Sequence, residues 1–378
     1  MVSNGRLLFI DLMRGLAMVV MIEVHVVNAL IRPAYRHLPW FSLVDFINGL
    51  VAPSFLFVAG FVFYQSLRGV QSSSSAGLIQ LGPKAGRLAL IWVIGYLLHC
   101  PAFSLSGWQK GIAPEEWLSF ISVDVLQCIA ASLLIIMLIQ VLFSRDDRAV
   151  WLVALLGVLA VCLASPLYRA GVVAAWPAPL AVYVIPYGKT LFPLLPWFGF
   201  VAAGAVSSFL YAEARTRDRV WPCIQAHFVA GAVLAGAGLP LLLVLRDHLH
   251  WIVDERPHVL FFAARLGFVY LIFCACFWAC RTRQTLSPLF AYPARETLLI
   301  YCLHLQLLYH PFGQAGSLAQ ALSAKVSFAG CLAISGGILA LQLPVAWLWH
   351  SGKSRYPWIG SATVGGGGLL MIAWFFAT

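Results

Sequence analysis

Residues 6–40 read RLLFIDLMRGLAMVVMIEVHVVNALIRPAYRHLPW, and this stretch predicts one membrane-spanning helix with an unusual number of charged side chains. On an insertion scale each ionised side chain at mid-bilayer costs about 2.5–3.5 kcal/mol, so Asp11, Arg14 and Glu23 would together cost roughly 6–10 kcal/mol if they faced lipid. Other segments of protein must therefore cover them, and the helix belongs to a bundle.

One polar stripe runs along this helix. At about 100° per residue, an arc of roughly 60° contains Asp11, Arg14, Met18 and His25, whereas Glu23 projects almost oppositely. Asp11 and Arg14 are three residues apart and can pair, and His25 lies about 21 Å beyond Asp11 along the helix. The pair can be a structural clamp between helices or part of a binding site, while for His25 we favour a functional role.

The composition places the whole chain in a membrane. Its 378 residues are 61% hydrophobic and 10% charged, with a mean hydropathy of +0.88, which is too apolar for a soluble domain. The net charge of +10 suits loops that face an anionic membrane leaflet, and we do not interpret it as nucleic-acid binding. The nine cysteines lack zinc-site spacing, so we expect neither a disulfide framework nor a metal.

Apolar stretches of about 20 residues divide the chain into eleven predicted spans. We therefore predict an all-α polytopic transmembrane helix bundle and one integral-membrane domain over residues 1–378. The spans are 7–30, 41–66, 87–105, 119–143, 149–168, 191–211, 225–245, 258–280, 286–309, 326–349 and 358–377.

The loops indicate the orientation. Loops on the N-terminal side carry more Lys and Arg than those on the other side, which predicts a cytoplasmic N-terminus. Residues 171–190 are apolar but contain three prolines, and they suit an interfacial or re-entrant piece better than a span.

This topology sorts the polar residues by depth. The outer half or its rim receives His25, His37, His99, Asp124, His304 and His310, and the inner half receives Asp11, Arg14, Arg295 and Glu296. Histidine suits proton transfer near neutrality, because its unperturbed pKa is about 6.5. Several histidines at one depth predict a site, although each could instead be an interfacial residue or a hydrogen-bonded member of the bundle.

Two of these residues, Asp124 and Arg295, have two interpretations each. Asp124 and Gln127 lie three residues apart near a helix start, where Asp124 either caps the helix or contacts substrate. Arg295 either pairs with neighbouring charges or lines a site for a phosphate-bearing ligand.

Several of these stretches resemble one family of membrane acyltransferases. RLLFIDLMRGLAMVVMIEVH is similar to the first span of those proteins, which reads roughly R, four residues, D, two residues, RGLA, then H. NGLVAPSFLFVAGFVF, VDVLQCIAASLL, FPLLPWFGFVAAG and ETLLIYCLH resemble the heparan-alpha-glucosaminide N-acetyltransferase-like branch, and we suspect a bacterial-type relative.

The resemblance implies an activity and a set of partners. Members take an acetyl group from cytoplasmic acetyl-CoA and pass it through the membrane to a sugar acceptor on the far side. We therefore expect three partners: acetyl-CoA as donor, a sugar or glycan as acceptor, and the lipid bilayer. We expect no nucleic acid, and a homodimer is compatible with the sequence. The expected location is the bacterial inner membrane.

The resemblance offers two catalytic histidines. In the lysosomal relatives the catalytic histidine lies in the first outer loop, where His37 stands here, and bacterial relatives offer the histidine that ends the first span, here His25. The lysosomal pattern has an aspartate where Gly49 precedes LVAPSF, and this departure weakens both the His37 assignment and an amino-sugar specificity.

These residues combine into one expected mechanism. Donor phosphates lie near Arg14 and Arg295, and His25 acts as a general base or as an acetyl carrier. The acceptor or the base is oriented by Asp124, Gln127 and His304. Two other classes remain open, a transporter of an anionic or glycan solute and a non-catalytic membrane partner or sensor.

Overall fold

The computed structural model describes residues 2–3, 6–68, 75–143, 147–248, 258–310 and 316–377. Apart from two paired two-residue strands, β1 (Val2–Ser3) and β2 (Arg6–Leu7), and a 3-10 turn at Val172–Ala175, the regular elements there are α-helices. The helices are α1 (Leu8–Leu30), α2 (Pro33–Arg36), α3 (Phe41–Asn48), α4 (Val51–Leu67), α5 (Ser75–Leu97), α6 (Leu105–Gln109), α7 (Pro114–Ile121), α8 (Val125–Leu142), α9 (Arg148–Ala170), α10 (Ala178–Val184), α11 (Leu194–Thr216), α12 (Val220–His248), α13 (Val259–Ala279), α14 (Pro288–Arg295), α15 (Thr297–Tyr309), α16 (Leu318–Leu322), α17 (Phe328–Arg355) and α18 (Trp358–Ala377).

The predicted all-α membrane bundle is confirmed. Among the described residues, eight helical segments are long and apolar enough to cross a membrane, and the chain is an integral multi-pass membrane protein. They are Phe41–Leu67, Val125–Leu142, Arg148–Ala170, Leu194–Thr216, Val220–Val244, Val259–Ala279, Phe328–Arg355 and Trp358–Ala377. Helix α1 has 23 residues but carries three charged side chains, which lower its hydropathy. The count of eleven spans and the cytoplasmic N-terminus stay predictions.

The ends of α1 follow from its sequence. Asp11 lies in the first turn, where the partial positive charge of the helix N-terminus favours a carboxylate. Pro33 disfavours a helical conformation for Arg32, which is extended at φ −62° and ψ 133°. The helix therefore ends at Leu30, and the next helix begins with Pro33 at its first position.

Three predicted spans are divided in the structure, the span at 41–66 between α3 and α4 and two others at polar residues. The span at 286–309 consists of α14 and α15, because Glu296 leaves the helical conformation between them at φ −116° and ψ 39°. The span at 119–143 begins as α7 and continues as α8, with Asp124 as the cap between them. Residues 171–190 contain the 3-10 turn and the short helix α10, and their interfacial or re-entrant position stays a prediction.

The contacts between helices separate two compact units, and the prediction of a single domain stays a prediction. The first unit comprises Met1–Phe55 and Ala275–Met371. Within it, α1 packs on α14, α15 and α17. At Gly15 the helix approaches α14 so closely that an added Cβ would overlap the carbonyl oxygen of Phe290. The backbone N–H of Arg32 donates to the carbonyl oxygen of Val326, and the N–H of Val326 donates to that of Leu30, each at 3.0 Å. These two bonds join the end of α1 to the residues before α17.

The second unit comprises Leu56–Cys274 and Ile372–Thr378. Helix α11 packs along α9, and α5 packs on α8. Small residues again allow the closest approaches, with Gly60 against the backbone of Val201 and Gly204 against the backbone of Phe57. Lipid tails are as apolar as the side chains, so helices in a membrane gain no hydrophobic free energy by associating. Close van der Waals packing of this kind holds them together instead.

Candidate active site

Two histidines meet inside the first unit. His25 lies near the end of α1 and His304 lies in α15, and these helices pack on each other. His304 Nε2 is 3.2 Å from His25 Nδ1, and the ring centroids are 4.9 Å apart. His304 is 1% exposed and His25 is half-buried, so the pair combines a covered ring with a more accessible one.

The surrounding carbonyl groups define the protonation of both rings. His304 Nδ1 lies 2.9 Å from the carbonyl oxygen of Ile300, so we assign the proton to that nitrogen. His304 Nε2 then accepts from His25 Nδ1, whose N–H also faces the carbonyl oxygen of Met21 at 2.9 Å. His25 Nε2 consequently carries the lone pair that a general base requires.

Tyr301 packs against both rings. It is 4% exposed and lies one turn before His304 on α15. Its ring centroid is 5.5 Å from that of His304 and 6.5 Å from that of His25, in edge-to-face arrangements. This packing restricts the rotation of the two imidazoles.

His37 has a different environment. It follows the last residue of the short helix α2 and is exposed. The neighbouring Arg36 extends over the ring of Phe41, with 5.7 Å between the guanidinium carbon and the ring centroid. The other candidate base therefore lies on a short surface element.

Asp11 pairs with Arg6 and not with Arg14, the partner that the helix spacing allows. Both oxygens of Asp11 are bound by Arg6, through Nε and Nη2 at 3.1 Å each. Arg14 Nη1 instead donates to the carbonyl oxygen of Ala294 at 3.2 Å, near the C-terminus of α14. A cation is favoured there, because the last carbonyl groups of a helix carry a partial negative charge.

A cavity of about 420 Å³ opens beside this end of the first unit. Its lining includes Arg6, Asp11, Tyr292, Arg295 and His350. Two guanidinium groups and one imidazole are thus present with a single carboxylate, and the lining has a net positive charge. Such a lining suits an anionic group, and arginine in particular matches phosphate oxygens in pairs.

A buried carboxylate supports one wall of the cavity. Glu296, 6% exposed, accepts from His350 Nδ1 at 2.9 Å and from Lys353 Nζ at 2.6 Å. His350 Nε2 is then 3.4 Å from Nη1 of Arg295, which is one of the predicted site residues. The break between α14 and α15 places Glu296 where the last turn of α17 can reach it.

In the second unit, Asp124 and Gln127 form a capping box at the start of α8. Asp124 accepts from the backbone N–H of Val125 at 2.7 Å, and Gln127 accepts from the backbone N–H of Asp124 at 3.2 Å. The second carboxylate oxygen of Asp124 lies 3.8 Å from Nε2 of His99. Asp124 thus has the capping role that the sequence offered as one alternative, Gln127 completes the box, and a substrate contact of either residue stays a prediction.

Sequence reasoning missed Arg6, His350 and Lys353 as site residues. His350 and Lys353 lie one helical turn apart at the cytoplasmic end predicted for α17, and this spacing places them on one face. That spacing was the available signal, but their common partner Glu296 is more than fifty residues away. Among the described residues no group of three or more His, Cys, Asp or Glu side chains is arranged to hold a metal ion.

These features define a class, a multi-pass helical membrane protein with a hydrogen-bonded pair of histidines, one of them buried, and a cationic cavity. The sequence matches the family described as heparan-alpha-glucosaminide N-acetyltransferase, catalytic, over residues 6–246, which is more than half of the chain. The chain belongs to this family, as its sequence predicted, and it is a membrane acetyltransferase. Comparison with curated proteins gave no match. His304, Arg295 and Glu296 lie beyond the matched residues.

Proposed function

We propose that this acetyltransferase takes the acetyl group of cytoplasmic acetyl-CoA and gives it to an amine or hydroxyl of a sugar or glycan on the outer side of a bacterial inner membrane. The observation that carries the proposal is the hydrogen-bonded pair of His25 and His304. A positioned imidazole with a defined tautomer is what acyl transfer to a weakly acidic amine or hydroxyl requires.

The donor supplies an acetyl thioester, and His25 supplies the base. His25 Nε2 takes the proton of the attacking N–H or O–H as the new bond to the acetyl carbon forms and the C–S bond breaks. The same proton then passes to the leaving sulfur, which restores the neutral imidazole. His304 holds His25 Nδ1–H throughout, so it is a positioning residue.

The alternative role of His25 is that of an acetyl carrier. Its Nε2 would attack the thioester carbon first, and the acceptor would remove the acetyl group in a second step. The two routes differ in kinetics, because the carrier route releases the thiol before the acceptor reacts. Burst release of thiol without acceptor distinguishes them.

The cationic cavity supports a donor site at the opposite end of α1. Arg6 and Arg295 offer guanidinium groups to phosphate oxygens, His350 contacts Arg295 from the cavity wall, and Arg14 adds a positive charge close by. In the orientation that the Lys and Arg distribution favours, this cavity faces the cytoplasm, where acetyl-CoA is found. The acceptor site, to which we assign Asp124 and Gln127, belongs to the outer half in the same orientation.

The direct test is release of free thiol from acetyl-CoA by purified protein in nanodiscs, with and without glucosamine. His25→Ala should lower the rate by about 10² to 10⁴ while CoA binding persists, because a general base contributes that much. His37→Ala is the matched control and should retain most of the rate. Loss of activity in His37→Ala with full activity in His25→Ala would show that His37, in the loop, is the base.

The same assay addresses the transporter alternative. A transporter of an anionic or glycan solute would release no thiol with any acceptor and would bind no CoA. Wild-type protein that binds CoA but releases thiol only with a different sugar would retain the proposal and change the acceptor.

A further inference from the structure

Gln342 is a buried polar side chain in the middle of an apolar helix. It lies on the face of α17 that also buries Ser335, Ile338 and Ala346, and it is 1% exposed. Among the described residues it is the one buried side chain whose polar atoms both lack a hydrogen-bond partner. Ser335, on the same face, satisfies its hydroxyl by donating to the carbonyl oxygen of Cys331.

An unsatisfied amide is costly at this place. A buried donor or acceptor without a partner loses the hydrogen bonds that it made in water, and the membrane offers no replacement. Polar side chains inside spans are therefore interpreted as functional by default. The unmet donor and acceptor of Gln342 point to a bound group with both functions.

The ends of α1 and α17 show that the two helices run antiparallel. Val326 pairs with Ile31 at one end, and His350 shares the cavity with Arg6 at the other. At 1.5 Å per residue, Gln342 lies about 24 Å from Val326 along α17, and His25 lies about 9 Å from Ile31 along α1. Asp11 lies about 30 Å from Ile31 on the same scale.

The level of Gln342 is thus between the cavity and the histidine pair. A donor whose phosphates occupy the cavity and whose thioester reaches His25 must extend its connecting arm past this level. In CoA that arm is pantetheine, which contains two secondary amides, each with one N–H donor and one carbonyl acceptor. A primary amide such as that of Gln342 can donate to one carbonyl and accept from one N–H.

We propose that Gln342 binds the pantetheine amides of the acyl donor within the membrane. This inference rests on the proposed function, since it takes the donor to be a pantetheine thioester. Gln342 is a binding residue for the arm and takes no part in proton transfer. Its hydrogen bonds select donors with amide-containing arms and hold the chain in line with His25.

The test measures binding of three probes to purified protein in nanodiscs: CoA, pantetheine and adenosine 3′,5′-bisphosphate. Gln342→Met keeps the shape of the side chain and removes its polar atoms. We expect about tenfold weaker binding of CoA and pantetheine and unchanged binding of the bisphosphate, as the loss of one or two hydrogen bonds implies. The matched control Ser335→Ala should change none of the three.

Thermal unfolding without ligand gives an independent measure of folding. Gln342→Met should unfold at the same temperature as wild type or higher, because the unmet amide is gone. A variant that is more stable but binds CoA less tightly has lost a ligand contact rather than its fold. Equal CoA affinity in Gln342→Met and wild type would overturn the inference, whereas a wild type that binds no CoA would overturn the proposed function itself.

Discussion

At the scale of single residues, the account depends on which nitrogen of His25 holds a proton. The carbonyl of Ile300 and the ring of His304 together assign the proton to His25 Nδ1. This assignment leaves the lone pair of His25 on Nε2, as the proposed base requires. The sequence placed His304 among several histidines of the outer half, and its contact with His25 spans 279 residues that no periodicity could relate.

His304→Ala should lower kcat about tenfold, because His25 Nδ1–H keeps only the carbonyl oxygen of Met21 as an acceptor and one hydrogen bond is worth roughly that much. His304→Gln should recover part of the rate, since an amide oxygen can also accept from Nδ1–H. In the His25→Ala background, His304→Ala should cost nothing more, because residues that act as a unit are not additive. Independent, multiplicative losses in steady-state kinetics would contradict the coupling.

The buried carboxylate of Glu296 gives a second prediction at this scale. Glu296→Ala should lower the free energy of unfolding by about 1–3 kcal/mol, less than for a fully buried pair, since His350 and Lys353 remain partly exposed. It should also weaken binding of adenosine 3′,5′-bisphosphate, because His350 loses its orientation. The control Glu213→Ala removes more exposed pairs with Arg68 and Arg217 and should cost less. Equal losses of stability in the two variants, with unchanged ligand binding, would refute the role of Glu296.

At the scale of helices, close approach at Gly15 determines how α1 seats on α14. An added Cβ there would overlap the carbonyl oxygen of Phe290, which is rigid backbone. The neighbouring Arg14 reaches the carbonyl oxygen of Ala294 in the same helix. Displacement of α14 would therefore also disturb the cavity wall that carries Arg295.

Gly15→Ala should destabilise the fold by about 1–3 kcal/mol, the usual cost of overpacking, measured as a lower midpoint of thermal unfolding in detergent. Gly336→Ala in α17 is the control, since an added Cβ there meets no atom within 4 Å. It should be neutral or stabilising by up to about 1 kcal/mol, because alanine is the better helix former. A Gly15→Ala protein as stable as Gly336→Ala would show that the two helices are not tightly packed.

At the scale of the whole molecule, local chemistry was predictable and long-range pairing was not. The predicted span 7–30 ends at the same residue as α1, and the spacing of Asp124 and Gln127 allowed the capping role that Asp124 has in the structure. Asp11 pairs with Arg6 rather than with Arg14. The sequence could not predict this pairing, because helix periodicity shows which residues share a face but not which partner lies outside the helix. The contacts of Glu296 at the break were also hidden, since its partners His350 and Lys353 lie more than fifty residues later in the sequence.

The predicted orientation can be tested with two introduced cysteines. In intact cells, a membrane-impermeant maleimide should label Lys110→Cys, which we place outside, and should label Arg217→Cys only after the membrane is opened. Wild-type protein is the control for native cysteines. If only Arg217→Cys is labelled in intact cells, the orientation of the protein is the reverse of the predicted one.

The central claim is that the acetyl group crosses the membrane during transfer, and proteoliposomes with one protein orientation test it. Radiolabelled acetyl-CoA is supplied on the side of the N-terminus, and glucosamine is placed either on the opposite side or on the same side. The account predicts labelled N-acetylglucosamine only when the acceptor is on the opposite side, and only with His25 present. Product formed equally well when donor and acceptor share the N-terminal side would contradict it.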